Sequence, residues 1–262
     1  MKIHFSKYHG TGNDFIIIDN REILWNPTMN EVSFLCDRHF GIGADGLMLL
    51  SEKKGFDFAM NYFNSDGNES TMCGNGSRCM AAFAKSLGLV GCMAHFYAAD
   101  GSHEAEIFDN PATCIYRIKM NNSLVGKIYD DGLFINTGSP HFVKFIDDAE
   151  NADVFNAGRQ LRHDPRFSPE GTNVDFVEFI SDKLFVRSYE RGVEDETLSC
   201  GTGVVASALA TAFRNPSNPG FYHIKTLGGS LKVSFIKNGT LFTEIWLEGP
   251  VKFVYKGEIN VK

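Results

Sequence analysis

The chain has 262 residues, 43% of them hydrophobic, a length that suits one large domain or two of about 130 residues each. Its 25 Lys and Arg against 32 Asp and Glu give a formal charge of −7, which argues against nucleic acid as a partner, because phosphate binding draws on clustered basic residues. No stretch reaches the roughly 20 apolar residues of a membrane helix. The opening MKIHFSKYHGTGNDF is polar where a signal peptide needs an apolar core, so a soluble cytoplasmic protein is expected.

In chain order, residues 15–19 predict a first strand, and Phe56, Phe58, Met60 and Tyr62 alternate as a second. The turn Asn64-Ser65-Asp66-Gly67-Asn68 follows, then Cys73-Gly74-Asn75-Gly76, then an apolar helix over 77–87 with Gly88 as its stop. Residues 105–108, 115–120 and 142–146 read as further strands. Leu184, Val186 and Ser188 alternate into Tyr189-Glu190-Arg191-Gly192. Cys200-Gly201-Thr202-Gly203 then opens a second apolar helix over 204–213, ended by Asn215-Pro216. Residues 231–236, 241–246 and 251–261 complete the strands, the last returning to the first lobe.

The order recurs at a fixed interval. Tyr62 and Tyr189 are 127 residues apart, as are Cys73 and Cys200. Thr11-Gly12-Asn13-Asp14-Phe15 resembles Thr137-Gly138-Ser139-Pro140-His141-Phe142 at an offset of 126, and Asp100-Gly101-Ser102 resembles Gly228-Gly229-Ser230 at 128. A duplication follows. The expected fold is α+β, with two pseudo-symmetric lobes that each wrap a curved, mainly antiparallel sheet around a central helix. The expected lobes are 1–120, completed by 251–262, and 121–250. A helix apolar nearly all round is a buried one.

Six cysteines, at 36, 73, 79, 92, 114 and 200, form no C-x-x-C pair, so zinc ribbons and thioredoxin-like motifs are not supported and no metal is called for. Cys36, Cys79, Cys92 and Cys114 read as core or surface thiols. Cys73 and Cys200 each stand where a turn becomes a buried helix. The first turn of a helix leaves N–H groups unpaired and carries partial positive charge. A thiolate is stabilised there, and glycines let a carboxylate approach the backbone. One such pair is ordinary; two at matched spacing suit inversion of a carbon, where one sulfur removes a proton and the other supplies one. No P-loop or Rossmann motif stands out, so no cofactor is implied.

These residues resemble the diaminopimelate epimerase family. The likeness covers essentially the whole chain, through HGTGNDFIIID (9–19), GIGADG (41–46), FNSDGN (63–68), MCGNGSRC (72–79), TGSPHF (137–142), the segment around Asn173, and YERGVEDETLSCGTG (189–203). It implies interconversion of LL- and meso-diaminopimelate, on the route to lysine and peptidoglycan, with the active site in the cleft between the two lobes, and a homodimer. Carried over by position, Cys73 and Cys200 are the proton-transfer pair. Gly74-Asn75 and Gly201-Thr202 bind the reacting carboxylate. Glu190 and Asn13 hold the reacting amine, Arg191, Asn64 and Asn173 recognise the distal end, and His141 and Glu190 tune the thiols.

Two positions depart from the family pattern. Some members carry Gln where this chain has Gly46, which removes a contact near the reacting amine, and many carry Asn where it has Ser139, whose shorter reach alters contacts at the distal end. Asp195 lengthens the loop from YERG to Cys200. A proline or hydroxyproline racemase is the alternative with the same chemistry, but a small ring offers no second amino-acid group to Arg191 and the asparagines. A thiol-redox protein is the alternative of another class, disfavoured by the missing C-x-x-C.

Overall fold

The computed structural model describes residues 1–70, 72–110, 113–215, 217 and 220–261. Along the chain run β1 (Lys2–Gly10), β2 (Asn13–Asp19), α1 (Met29–Cys36), β3 (Gly46–Ser51), β4 (Phe58–Asn64), β5 (Glu69–Ser70), α2 (Gly74–Ser86), β6 (Met93–Ala98), β7 (Gly101–Asn110) and β8 (Thr113–Met120). There follow β9 (Ser123–Tyr129), β10 (Gly132–Asn136), β11 (Pro140–Phe145), α3 (Val154–Arg162), β12 (Asn173–Ile180), β13 (Lys183–Glu190), β14 (Asp195–Thr197), α4 (Gly201–Arg214), β15 (Phe221–Thr226), β16 (Gly229–Asn238), β17 (Leu241–Pro250) and β18 (Lys252–Asn260).

Two compact units emerge. The first comprises Met1–Ile118 with Gly249–Lys262, and the second Lys119–Glu248. In the first, eight strands are ordered β18, β1, β2, β3, β4, β6, β7, β8, all antiparallel except β2–β3 and β4–β6. In the second, β9, β10, β11, β12, β13, β15, β16 and β17 follow the same scheme, parallel only at β11–β12 and β13–β15. There β17 returns to β9 through Leu241↔Leu124 and Phe242↔Ser123, closing a ring of eight. α4 runs against β9 to β13, β15 and β16, and α2 against β1 to β4 and β7. Each unit is thus a curved, mainly antiparallel sheet around a buried helix, as the sequence leads one to expect.

The apolar character of β2 has a packing cause. Phe15, Ile16, Ile17 and Ile18 are all buried, a pattern of strands covered on both faces. Phe15 faces α2, where it approaches Gly76. Ile16 and Ile18 face α1 and pack with Val32, Leu35, Leu47 and Leu49. The sequence reading assigns one helix to each lobe. The structure adds a second, α1 and α3, on the other face of each sheet. α3 supplies Val154 to a cluster with Phe142, Phe167, Val174 and Tyr189. Both buried helices also start three residues earlier than the apolar pattern indicates, at Gly74 and Gly201, because their first turns are glycine-rich. α4 ends at Arg214, and Pro216, expected as its stop, lies outside the described residues.

The repeat also shifts by one residue between helix and strand. Cys73 and Cys200 cap equivalent helices. Yet Met48↔Tyr62 pairs as Asp175↔Ser188 does, and Leu47↔Phe63 as Val174↔Tyr189 does. Phe63, packed on the α1 cluster, is therefore the counterpart of Tyr189, and Tyr62 that of Ser188. The second unit takes up the extra residue between Glu190 and Cys200, where Asp195 starts β14.

Candidate active site

In the first unit, Cys73 is the N-cap of α2, with extended backbone, and its sulfur accepts the Gly76 N–H at 3.5 Å. The thiol donates to Asn13 Oδ1 at 3.8 Å, and Asn75 Nδ2 donates to the same oxygen at 3.3 Å. Asn13 Nδ2 in turn donates to Asp45 Oδ2 at 2.7 Å. Asp45 and Asp14 share Arg38, at 2.7 and 2.8 Å, and Asp14 also pairs with the buried Lys7 at 2.8 Å. Burial raises the Asp14 carboxyl, but the bonds from Arg38 and Lys7 outweigh it and hold the group at about 2. One expected substrate residue stands apart: the half-buried Asn64 makes no side-chain hydrogen bond to the described residues, and its backbone closes the 64–68 turn.

Below Asn75 lies Arg78, wholly buried. Its Nη2 donates to Asn75 Oδ1 at 2.8 Å and Nη1 to the Gly74 carbonyl at 3.5 Å, while Nε has no partner. Gly10 leaves the space it occupies, since a Cβ there would lie 3.2 Å from Arg78 Nη2 and from the Asn75 carbonyl. The sequence analysis does not single out Arg78; its signal is a lone charge one turn into an apolar helix.

In the second unit, Cys200 caps α4 and its sulfur lies 3.5 Å from Thr202 Oγ1. His141 Nε2 is 2.9 Å from both Thr202 Oγ1 and Ser139 Oγ, and its Nδ1 meets Asp175 at 2.7 Å, with neither side chain of that pair exposed. Ser188 Oγ donates to the other Asp175 oxygen at 2.6 Å. Asn173 Nδ2 donates to Pro140 O at 2.9 Å and its Oδ1 accepts the Arg191 N–H at 2.8 Å. The Arg191 guanidinium reaches the Glu170 carbonyl at 3.5 Å. Glu190 accepts from Thr197 and from the Cys200 thiol. All seven site residues expected in this unit fall in or beside one network, to which Asp175, Ser188 and Thr197 are additions.

The two thiols are not equivalent. The sequence reading expects both helix starts to favour thiolate. At Cys200, burial first, then the charges of Glu190 and Asp175, push the thiol well above its ordinary value, against the Thr202 and Gly203 bonds that lower it. Burial likewise raises Glu190. The floors under the two helix starts differ. A Cβ on Gly76 would strike Met48 and approach Phe15, whereas one on Gly203 would lie 2.3 Å from Asp175 Oδ1. Apolar residues underlie α2 where a His–Asp pair underlies α4.

The Gly46 departure also has a steric cause. A Cβ there would lie 2.6 Å from the Phe63 carbonyl oxygen and 2.6 Å from the Tyr62 ring, so Tyr62 fills the space that a side chain at 46 would need. Ser139 contacts His141, Thr202 and Asn173, which places it in the Cys200 network. Among the described residues, no group of three or more His, Cys, Asp or Glu is arranged to hold a metal. No helix of the described residues is long and apolar enough to cross a membrane.

Solved structures share this architecture. A PhzF-family phenazine biosynthesis protein from Bacillus anthracis superposes with a TM-score of 0.77 at 14% identity, over 100% of both chains. A probable proline racemase from Agrobacterium radiobacter K84 gives 0.74 at 16% identity, over 99% of this chain and 93% of that one. At such identities the likeness concerns the fold. Sequence is more specific. The chain is 48% identical to a diaminopimelate epimerase from Flavobacterium psychrophilum, over 99% of this chain and 100% of that protein. With one from Chlorobaculum tepidum it shares 40%, over 96% and 99%. The profile described as diaminopimelate epimerase matches residues 5–122 and 133–254, and both cysteine-capped helices fall within the matched stretches. Duplicated fold, duplicated thiol and full-length likeness agree, and the chain belongs to the diaminopimelate epimerase family of isomerases.

Proposed function

We propose that this protein interconverts LL- and meso-diaminopimelate, with Cys73 and Cys200 as base and acid on opposite faces of one α-carbon. The observation that carries the reading is the Cys-Gly-x-Gly helix start, found at equivalent places in two units of one topology. A thiolate takes the α-proton, the opposite thiol supplies another, and the second sulfur is left as thiolate with the configuration inverted. No electrons are exchanged, so the chemistry requires no redox cofactor.

The first-turn N–H groups at Gly74-Asn75 and Gly201-Thr202 receive the reacting carboxylate and the charge that spreads onto it. Asn13 and Glu190 hold the reacting amine, both already bonded to a cysteine. Asn64, Asn173 and Arg191 take the distal amino-acid end, where the fork of Arg191 suits a carboxylate. His141 and Glu190 tune Cys200. The Asn75 and Thr202 side chains steady the two helix starts. A cytoplasmic homodimer completes the reading; the exposed apolar run Phe253, Val254, Tyr255 on β18 supports self-association.

The test is incubation of reduced protein with LL-diaminopimelate in deuterated water without added cofactor, with L-proline in parallel. Meso product carrying α-deuterium, lost in Cys73→Ala and in Cys200→Ala, supports the reading. Exchange with proline alone moves the substrate, and no exchange with either sinks the proposal.

A further inference from the structure

Arg78 is placed where a cation is disfavoured. It lies on the first turns of α2, whose N-terminus carries partial positive charge, and helical side chains lean toward that end. Its guanidinium is wholly buried and, among the described residues, donates hydrogen bonds to the Asn75 side-chain oxygen and the Gly74 carbonyl, with Nε unpaired. A buried charge without a counter-charge is costly, and residues that carry one are ordinarily paired.

The surrounding charges do not supply that partner. On β1 and β2, Lys7 and Asp14 pair with each other, and Arg38 joins Asp14 to Asp45. On β1, His9 accepts the Gly12 N–H through Nδ1, and burial raises the Tyr8 hydroxyl. Asp100 pairs with His103 at 2.9 Å and accepts the Met72 N–H. On α2 itself, burial keeps the Cys79 thiol protonated. The group left facing Arg78 is Cys73, the residue before Gly74, and the guanidinium reaches that helix start through the Gly74 carbonyl and the Asn75 side chain. Burial lowers Arg78 only to about 10, so it is a cation at neutral pH. The second unit has no such cation at this place. Val205 stands at the place of Arg78, while Asp175 and Glu190 lie beside Cys200.

We propose that Arg78 is the fixed counter-charge of the Cys73 site, a positioning residue that holds Cys73 as the thiolate of the resting pair while Cys200 rests as the thiol. The role in epimerisation rests on the function proposed above; the ionisation order does not.

The experiment follows alkylation of each cysteine by iodoacetamide across pH, resolved by peptide mass spectrometry, with exposed Cys92 as the internal reference. The expected midpoints in wild type rank Cys73 below Cys92 and Cys200 above it. Arg78→Gln raises the Cys73 midpoint by about one pH unit or more, which slows its alkylation about tenfold at pH values below both midpoints, and leaves Cys200 unmoved. Arg78→Lys, which keeps the charge, restores most of the difference. A Cys73 midpoint at or above that of Cys200 overturns the inference from wild type alone, even if no variant folds. So does a Gln variant with an unchanged midpoint, or a Lys variant indistinguishable from Gln. Loss of the epimerase reading with this ranking intact would leave the Arg78 inference standing.

Discussion

The His141 imidazole and the Asp175 carboxylate meet at 2.7 Å with neither side chain exposed, directly beneath the glycine of the second cysteine motif. Removing one member of a buried, fully bonded pair leaves the other without its partner. Asp175→Asn is expected to cost about 3 kcal/mol in urea unfolding at pH 7 and to lower kcat, because the charge is lost and the amide can accept from only one of His141 and Ser188. Unchanged stability would show that the pair carries no net weight in the fold.

Glu190 raises the Cys200 thiol and accepts its hydrogen bond. Glu190→Gln keeps an acceptor and removes the negative charge, so the Cys200 ionisation midpoint falls and its alkylation at pH 7 quickens, by about tenfold for each pH unit of change. Epimerase activity is expected to fall at the same time, since the carboxylate proposed to hold the reacting amine is gone. A thiol that becomes less reactive in this variant would contradict the sign.

Asp14 gives the fold a pH dependence. Its carboxyl sits at about 2, below the unfolded value near 3.9. A depressed carboxyl stabilises the folded state above the unfolded value and loses that contribution as pH falls toward 2. Asp14→Asn therefore destabilises by about 2 kcal/mol at pH 7, with a difference that closes near pH 2. Urea unfolding of both proteins at the two pH values measures it.

Gly46→Gln tests the steric account of that departure. The Phe63 carbonyl belongs to the neighbouring strand and yields only if β3 and β4 part, so a loss of about 1–3 kcal/mol is expected. A stabilised variant would mean that the Tyr62 ring moves aside freely.

Much of this was readable in advance because it is periodic. Alternation located β4 and β13, and the glycine-flanked cysteines located both buried helices. α1 and α3 are short and amphipathic, and the apolar pattern passes over them. The capping box of Thr28 with Glu31, ahead of Val32 and Leu35, was the available signal. Matching tyrosines at 62 and 189 misled, since side-chain parity along a strand outranks residue identity. Cys73, Asn13 and Asn75 meet as their motifs suggest. Asp175 and Arg78 stand outside the expected set because one buried charge in an apolar run looks, in sequence, like any other.

The strand β18 occupies in the first unit the place that β9 holds in the second, hydrogen-bonded along β1 from Lys2↔Asn260 to His9↔Lys252. During synthesis β1 leaves the ribosome long before its partner, and the whole of the second unit is made in between. That second unit is continuous in sequence and has every strand of its ring as soon as residue 248 emerges. The first has a bare strand edge until β18 follows, open to pairing with other chains. In the order of translation the set of strands of the second unit is thus complete before that of the first, whose β1 edge is covered only when β18 follows.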